Sequence, residues 1–156
     1  ENTNRCNWVR SFKKDISVYV TVIDLNEIEY NGSGNLLFET PLNSTQFFLN
    51  MYQASGTVQL NLNCEKLELK IHTGPGKILA TGNSTELVLY NNGPGYIDAQ
   101  ELLCQKALAI NNNTGRLNVN PENKLKAEIF GSGDIFYKGN PIIELKKIGS
   151  GNLIPN

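Results

Sequence analysis

Apolar residues alternate with polar ones after each of seven short glycine-containing segments that recur along the chain. Counted from the last glycine of each segment, the spacings are 22, 20, 19, 20, 18 and 18 residues. The second residue after that glycine is always aliphatic, and the fourth is apolar in all but the last segment. An apolar period of two is the pattern of a β-strand with one face in a core, so the pattern predicts a strand after every segment. The two sets are Leu36, Val58, Ile78, Ile97, Leu117, Ile135 and Leu153, and Phe38, Leu60, Ala80, Ala99, Val119, Tyr137 and Pro155.

A second alternating run precedes six of the seven glycine segments. Its apolar members are Ile28 and Tyr30; Leu67, Leu69 and Ile71; Leu87 and Leu89; Leu108 and Ile110; Leu125, Ala127 and Ile129; and Ile143 and Leu145. The polar stretches between the two runs have the Asn, Ser, Gly and Pro content of turns. They lie at residues 43–45, 83–85, 120–123 and 139–141. Each repeat is therefore predicted to be one loop of chain with two strands.

The regular spacing predicts an all-β solenoid, a parallel β-helix with coils of about 18–22 residues. Stacked coils place their aliphatic residues in rows inside the tube and hydrogen bond to one another about 4.8 Å apart. Glycine suits the corners because a Cβ atom would obstruct positive φ angles and the close approach of neighbouring turns. The alternative is a β-sandwich of hairpins, which the constant phase after each corner disfavours. The corner glycines are Gly34, Gly56, Gly76, Gly95, Gly115, Gly133 and Gly151.

The chain is predicted to form one domain over its whole length, residues 1–156. Residues 27–156 carry the glycine corners, whereas residues 1–26 lack them and are expected to form an atypical N-terminal coil or cap that includes Trp8 and Phe12. A cap would cover a sheet edge that otherwise invites aggregation. We also expect further chain upstream of the first residue, including any targeting signal. The strand predicted within the cap alternates through Ile16, Val18, Val20 and Val22.

Charge and hydropathy argue against two classes of partner. The chain has 14 Lys and Arg against 15 Asp and Glu, a formal net charge of -1, so no positive field favours binding of nucleic acid. No apolar run approaches the roughly 18–20 residues that a membrane helix needs. We therefore expect no nucleic-acid partner and no direct membrane insertion of this segment.

Three cysteines allow at most one disulfide within the chain. The repeat places Cys64 and Cys104 two coils apart on similar faces, about 9–10 Å from each other, which is beyond the reach of a disulfide. We expect both to be buried free thiols that behave as small hydrophobic residues. The sequence leaves the pairing state of Cys6 open.

The sequence concentrates no catalytic chemistry, and neither a cofactor nor a metal is expected. His72 is the only histidine, which removes most nucleophile–base pairs and any zinc site with several histidines, so we expect a structural or surface role for it. Carbohydrate-cleaving β-helices need clustered acids, whereas aspartate occurs at only four positions. The Gly-Ser-Gly-Asp segment at 131–134 differs from calcium-binding rolls, in which carboxylates recur in successive turns. The protein is predicted not to be an enzyme.

One outward face carries a candidate ligand-binding surface. By the repeat, Tyr96 and Arg116 occupy the same outward position in adjacent coils, and so do Asp98 and Asn118. Asp134 is displaced by two residues from that second row in the next coil. Such a row of polar groups is suited to binding sugar, and the tyrosine and arginine are suited to stacking on a ring. Two plainer interpretations compete with a binding site: a solvated sheet face, and cation–π packing within the protein.

Motifs near both ends of the chain resemble a known family. Residues 131–141 read GSGDIFYKGNP, residues 149–153 read GSGNL, and residues 7–10 read NWVR. With these motifs the chain resembles the auto-transporter adhesin head GIN domain family over nearly its whole length. The resemblance implies a right-handed parallel β-helix in secreted, periplasmic or cell-surface proteins of Gram-negative bacteria, with an adhesin-like role and no catalytic residues. Corners that lack the first glycine or carry proline for serine depart from the family pattern, at Ser55-Gly56, Thr114-Gly115, Pro75 and Pro94.

We therefore expect a non-catalytic, adhesin-like binding or scaffold module that is extracytoplasmic, at the cell surface, at the outer membrane or in the periplasm. The expected partner is a glycan or a cell-surface protein. The alternative function is a β-helix polysaccharide lyase or hydrolase acting on extracellular glycan, which would display converging carboxylates in a groove. A third hypothesis is self-association through an open sheet edge, and we expect a monomer or weak self-association.

Overall fold

The computed structural model describes residues 16–156, and these form ten β-strands and no helix. Neighbouring strands all run parallel within one hydrogen-bonded sheet. Parallel neighbours cannot be joined as hairpins, so the parallel β-helix is confirmed and the β-sandwich is excluded. The strands are β1 (Glu27–Tyr30), β2 (Leu36–Leu37), β3 (Leu42–Met51), β4 (Thr57–Ile71), β5 (Lys77–Asn91), β6 (Tyr96–Asn111), β7 (Arg116–Ile129), β8 (Ile135–Tyr137), β9 (Ile142–Lys147) and β10 (Leu153–Pro155).

The aliphatic row predicted two positions after each corner glycine is present in the core. Its members are in register from coil to coil, and all but the two end members are fully buried. Burying a Val, Leu or Ile side chain contributes about 1.5–3 kcal/mol, so this row is a main source of the stability of the fold. In order along the solenoid, the row is Leu36, Val58, Ile78, Ile97, Leu117, Ile135 and Leu153.

Glycine is needed at the corners because successive coils touch there through their backbones. A Cβ atom on Gly95 would lie 2.5 Å from the carbonyl oxygen of Gly76, and one on Gly115 or Gly133 would meet the carbonyl oxygen of the preceding corner glycine. None of the seven corner glycines has a positive φ, and within the seven glycine segments only Gly74 has one, so the predicted need for positive φ is wrong except at that residue. Close approach of the coils is therefore the reason for the glycine repeat.

The long strands bend instead of ending in turns. Two successive outward residues interrupt the alternation in most of them, as at Glu65 and Lys66 of β4, and three do so in β7, so the strand changes direction there. The stretches 43–45, 83–85 and 120–123, predicted as turns, lie inside β3, β5 and β7, so that prediction is wrong for these three. From β4 to β7 the backbone ladder continues past the bend, with register shifts between β5, β6 and β7, so no loop interrupts these four strands. The fourth stretch, 139–141, does lie between strands.

One inward run has the opposite phase to the prediction. Leu108 and Ile110 are predicted in the core, but Ala107 and Ala109 are the buried residues and are in register with the leucines of the preceding coil. A β-bulge earlier in β6 adds one residue between the corner and this run. The alternation counted from the sequence is therefore offset beyond the bulge.

The strand predicted from Ile16 to Val22 is also wrong. Residues 16–26 contain no strand, and the side chain of Ile16 is 89% exposed. An alternating pattern forms a strand only where a neighbouring strand supplies the hydrogen-bond ladder, and no described strand pairs with this segment. The predicted cap residues Trp8 and Phe12 and the third cysteine, Cys6, lie outside the described residues.

The last described coil is open on its outer side. Ile143 and Leu145 of β9 continue the inward rows of β7, as predicted, yet they are 39% and 51% exposed. Lys146 and Lys147 lie on the same edge strand. Lysine on an edge strand discourages pairing with another chain, because pairing would bury its charge.

Candidate functional site

The outward face of β6, β7 and β8 brings the candidate residues into two neighbouring rows. Tyr96 is in register with Arg116, and Asp98 is in register with Asn118, as predicted. Asp134 immediately precedes Ile135, which is the register partner of Leu117. Asp134 is therefore the next residue after Arg116 in the row that contains Tyr96. The predicted displacement of this aspartate by two residues is confirmed.

Hydrogen bonds join three of these side chains into a closed network. The Tyr96 hydroxyl donates to Asp98 Oδ2 over 2.8 Å. Asn118 Nδ2 donates to the Tyr96 hydroxyl oxygen over 2.6 Å and to Asp98 Oδ1 over 3.1 Å. The backbone N–H of Gln100 also donates to Asp98 Oδ1. Both carboxylate oxygens of Asp98 are therefore engaged within the protein, and Asn118 is only 2% exposed.

Arg116 lies on top of this network and is held in one orientation. Its Nε donates to Asn118 Oδ1 over 2.9 Å. Its Cζ atom lies 3.8 Å from the ring centroid of Phe136 and 5.8 Å from that of Tyr96. The predicted cation–π packing within the protein is therefore confirmed, while the contribution of Phe136 was missed. Phe136 shares the row of Asn118, so the same register could have identified it.

Asp134 stands apart from the network. Its Oδ1 accepts hydrogen bonds from the backbone N–H of Asn152 over 2.7 Å and from Asn152 Nδ2 over 3.4 Å. No salt bridge joins Arg116 to a carboxylate among the described residues, although Asp134 is its neighbour in the row. We call Tyr96, Asp98, Arg116, Asn118 and Phe136 the Arg116 face, with Asp134 at its border.

Burial and Asp98 together keep the Tyr96 hydroxyl protonated. Burial has the larger effect, and the hydrogen bond to the Asp98 carboxylate and its negative charge add to it, raising the pKa of Tyr96 to about 12. A phenol with so high a pKa is a hydrogen-bond donor at neutral pH and a poor general base.

A spectroscopic titration should isolate the Tyr96 hydroxyl. The folded pKa lies above the ordinary value of 10, so the stabilisation from protonated Tyr96 is complete below about pH 10 and lost as the pH rises towards 12. Tyrosinate absorbance should show an ionisation near pH 12 that is absent in Tyr96→Phe. An unchanged ionisation at high pH in the variant would show that the pKa of Tyr96 is not raised.

His72 packs on the surface as part of an aromatic stack. Its ring lies 4.4 Å from the ring of Tyr52 with an interplanar angle of 6°, and its Nε2 lies 3.1 Å from Asn50 Oδ1. Burial, assisted by the nearby charge of Lys70, lowers the pKa of His72. These contacts agree with the predicted structural or surface role.

The two described cysteines are free and buried, as predicted. Cys64 and Cys104 occupy one row, separated by Ser84 of the intervening coil. Burial, with a smaller effect of the Glu122 carboxylate, raises the pKa of the Cys104 thiol to about 12. Burial likewise raises the pKa of Cys64. Both are therefore thiols at neutral pH and poor nucleophiles.

A shallow groove of about 410 Å³ follows the bends of the long strands. Its acidic residues are Glu65 and Glu122, which follow Cys64 and Pro121 of one inward row. These two positions are three coils apart, or about 14 Å at one strand spacing per coil. Glycoside hydrolysis needs carboxyl groups about 5–9.5 Å apart, so this groove does not place its acids for that reaction.

Across residues 16–156, no group of three or more His, Cys, Asp or Glu side chains is arranged to hold a metal ion. The same residues contain no helix long and apolar enough to cross a membrane.

The model of a family described as "Putative auto-transporter adhesin, head GIN domain" matches residues 2–141. The match covers both rows of the Arg116 face and the segment beyond it. No match was found among curated proteins.

Three solved structures resemble the solenoid. One, described as a "putative adhesin" from Bacteroides fragilis, is 28% identical with a TM-score of 0.79 over 85% of this chain and 61% of its own. A "putative lipid binding protein" from Parabacteroides distasonis is 29% identical with a TM-score of 0.77 over 83% of this chain and 52% of its own. A "putative adhesin" from Parabacteroides merdae is 26% identical with a TM-score of 0.65 over 85% and 64%. The chain thus spans between about half and two thirds of these proteins.

Proposed function

Because the chain belongs to the auto-transporter adhesin head GIN domain family, we propose that it is a non-catalytic binding module of an extracytoplasmic protein, with the Arg116 face as its ligand-binding surface. The preferred ligand is a glycan displayed outside the cell. Two of the similar structures are described as adhesins and one as a lipid-binding protein, and all three descriptions are of binding.

The observation that carries this proposal is the fixed orientation of Arg116. Its guanidinium lies on the Phe136 ring and is tied through Nε to Asn118, which is itself tied to Tyr96 and Asp98. Side chains that are already immobilised lose little conformational entropy when a ligand binds. The β-helix adds a rigid backbone beneath them, because each coil is hydrogen bonded to the next.

The geometry favours binding over polysaccharide cleavage. Asp98 is the carboxylate within the Arg116 face, and both its oxygens accept hydrogen bonds from the protein. A general base needs a free lone pair directed at the substrate, and a general acid needs a transferable proton. Tyr96 supplies neither, because its pKa of about 12 keeps it protonated and its proton is donated to Asp98.

A glycan array probed with the purified protein tests the proposal. We expect binding to a subset of extracellular glycans, and we expect Arg116→Ala to weaken binding of those glycans at least about tenfold, since hydrogen bonds to a charged group contribute about 1.5–3 kcal/mol. No binding to any glycan would argue against a carbohydrate ligand. Release of new reducing ends or unsaturated sugars from a bound polysaccharide would instead support the lyase or hydrolase alternative.

Lys106→Ala provides the matched control for Arg116→Ala. Lys106 is exposed on β6, forms no salt bridge with a described residue, and lies in a different row of the coil. Its replacement removes one positive charge without touching the Arg116 face. Equal loss of binding in the two variants would attribute the effect to net charge and contradict a defined site.

A further inference from the structure

Arg116 presents an unused hydrogen-bonding fork to solvent. Its Nε is occupied by Asn118 and one face of the guanidinium is covered by Phe136. No residue of the described chain accepts a hydrogen bond from either of its Nη amines. The residue is exposed, so these amines can reach a bound molecule.

The aspartates nearest to Arg116 in these rows hydrogen bond to other groups. Asp98 accepts from Tyr96, Asn118 and the backbone of Gln100. Asp134, the neighbour of Arg116 in its row, holds the backbone N–H of Asn152 in the next coil. The guanidinium is thus positioned and charged, yet it lacks an ion-pair partner in the part of the chain that the structure describes.

We infer that the Nη amines of Arg116 bind the carboxylate of an acidic sugar, such as a uronic or sialic acid residue. This inference rests on the proposed glycan-binding function and specifies the ligand class at the same site. The planar fork of an arginine matches the two oxygens of a carboxylate, and both partners of such a pair are charged. The guanidinium of Arg116 is stacked on the Phe136 ring, so binding requires little reordering of the arginine side chain.

Acidic oligosaccharides and their carboxyl-reduced counterparts test the inference directly. The probes are oligosaccharides that contain uronic or sialic acid and the same oligosaccharides with each carboxylate reduced to an alcohol. We expect at least about tenfold tighter binding of an acidic member than of its reduced counterpart. We expect Arg116→Lys to weaken binding of the acidic member about tenfold, because lysine keeps the charge but loses the fork and the stacking on Phe136.

A second readout follows Arg116 itself. The Nε–Hε signal of Arg116 can be assigned in an NMR spectrum by its loss in Arg116→Lys. Titration with the acidic member should shift this signal, and the same concentration of the reduced member should shift it less. Lys106→Ala should bind both sugars as the unaltered protein does.

The outcomes separate this inference from the proposed function. Equal binding of acidic and reduced sugars, still weakened by Arg116→Ala, would overturn the inference and leave glycan binding in place. Binding of sulfated glycans without carboxylated ones would also overturn it. Absence of binding to every glycan, with no shift of the Arg116 signal, would overturn the proposed glycan ligand and with it the inference.

Discussion

Replacing Gly115 with alanine is expected to lower the free energy of unfolding by about 3 kcal/mol. The new Cβ atom would meet the carbonyl oxygen of Gly95 and the side-chain amide of Asn91 in the preceding coil. Backbone atoms cannot move aside without disturbing the ladder that joins the two coils, so the strain extends beyond the corner. The measurement is the midpoint and slope of urea unfolding compared with the unaltered protein.

Gly34 offers a matched control for this substitution. It is the corner glycine of the first coil among the described residues, and a Cβ atom added to it would have no heavy atom within 4 Å. Gly34→Ala should therefore change the free energy of unfolding by no more than about 1 kcal/mol in either direction. Equal destabilisation by the two substitutions would show that the corners require glycine for backbone conformation and not for close approach between coils.

This contrast explains why the corners were the most predictable part of the fold. Each coil repeats the same backbone contact, as between Gly95 and Gly76, so the sequence repeats the residue that the contact requires. A residue at a fixed distance after the glycine then has a fixed orientation, and the aliphatic row from Leu36 to Leu153 follows. The inward-facing positions could therefore be counted directly from the corner glycine.

The inward-facing residues were harder to predict farther from the corner glycine. The bulge in β6 and the bends of the long strands each alter the alternation, and neither leaves a strong local signal in sequence. Ala107 and Leu108 are both apolar, so composition alone does not decide which of them faces inwards. The decision comes from register with Leu87 of the neighbouring coil, which is a tertiary contact.

The strand predicted in the N-terminal segment was wrong for a related reason. Its alternation from Ile16 to Val22 is strand-like, but a strand also needs a neighbouring backbone to pair with. A pattern in one segment carries no information about whether such a partner is present. The described residues provide none, and these apolar side chains remain exposed.

The candidate surface was predictable as a set of rows but not as a set of contacts. Register alone placed Tyr96 beside Arg116 and Asp98 beside Asn118. Which side chain bonds to which depends on rotamers and burial, and these made Asn118 the buried centre of the network. The same dependence directed Asp134 towards Asn152 and left Arg116 without an ion pair.

Asn91→Ala is expected to lower the free energy of unfolding by about 3 kcal/mol. Asn91 is fully buried in a row that carries Ile71 in the preceding coil. Its Nδ2 donates to the carbonyl oxygen of Gly95 over 2.8 Å, and its Oδ1 accepts from the N–H of Gly93 over 3.1 Å. Alanine would leave both backbone groups without these partners in a buried corner, and each such group costs about 1–3 kcal/mol.

Asn92→Ala tests whether the loss of stability comes from the buried hydrogen bonds of Asn91 and not from the removal of any asparagine side chain. The side chain of Asn92 is exposed and forms no hydrogen bond with a described residue, so its replacement should change stability by less than about 0.5 kcal/mol. Urea midpoints should separate the two variants, with unchanged slopes. Similar midpoints would mean that water satisfies Gly93 and Gly95 in place of Asn91, and that the corner is more open than the coil packing indicates.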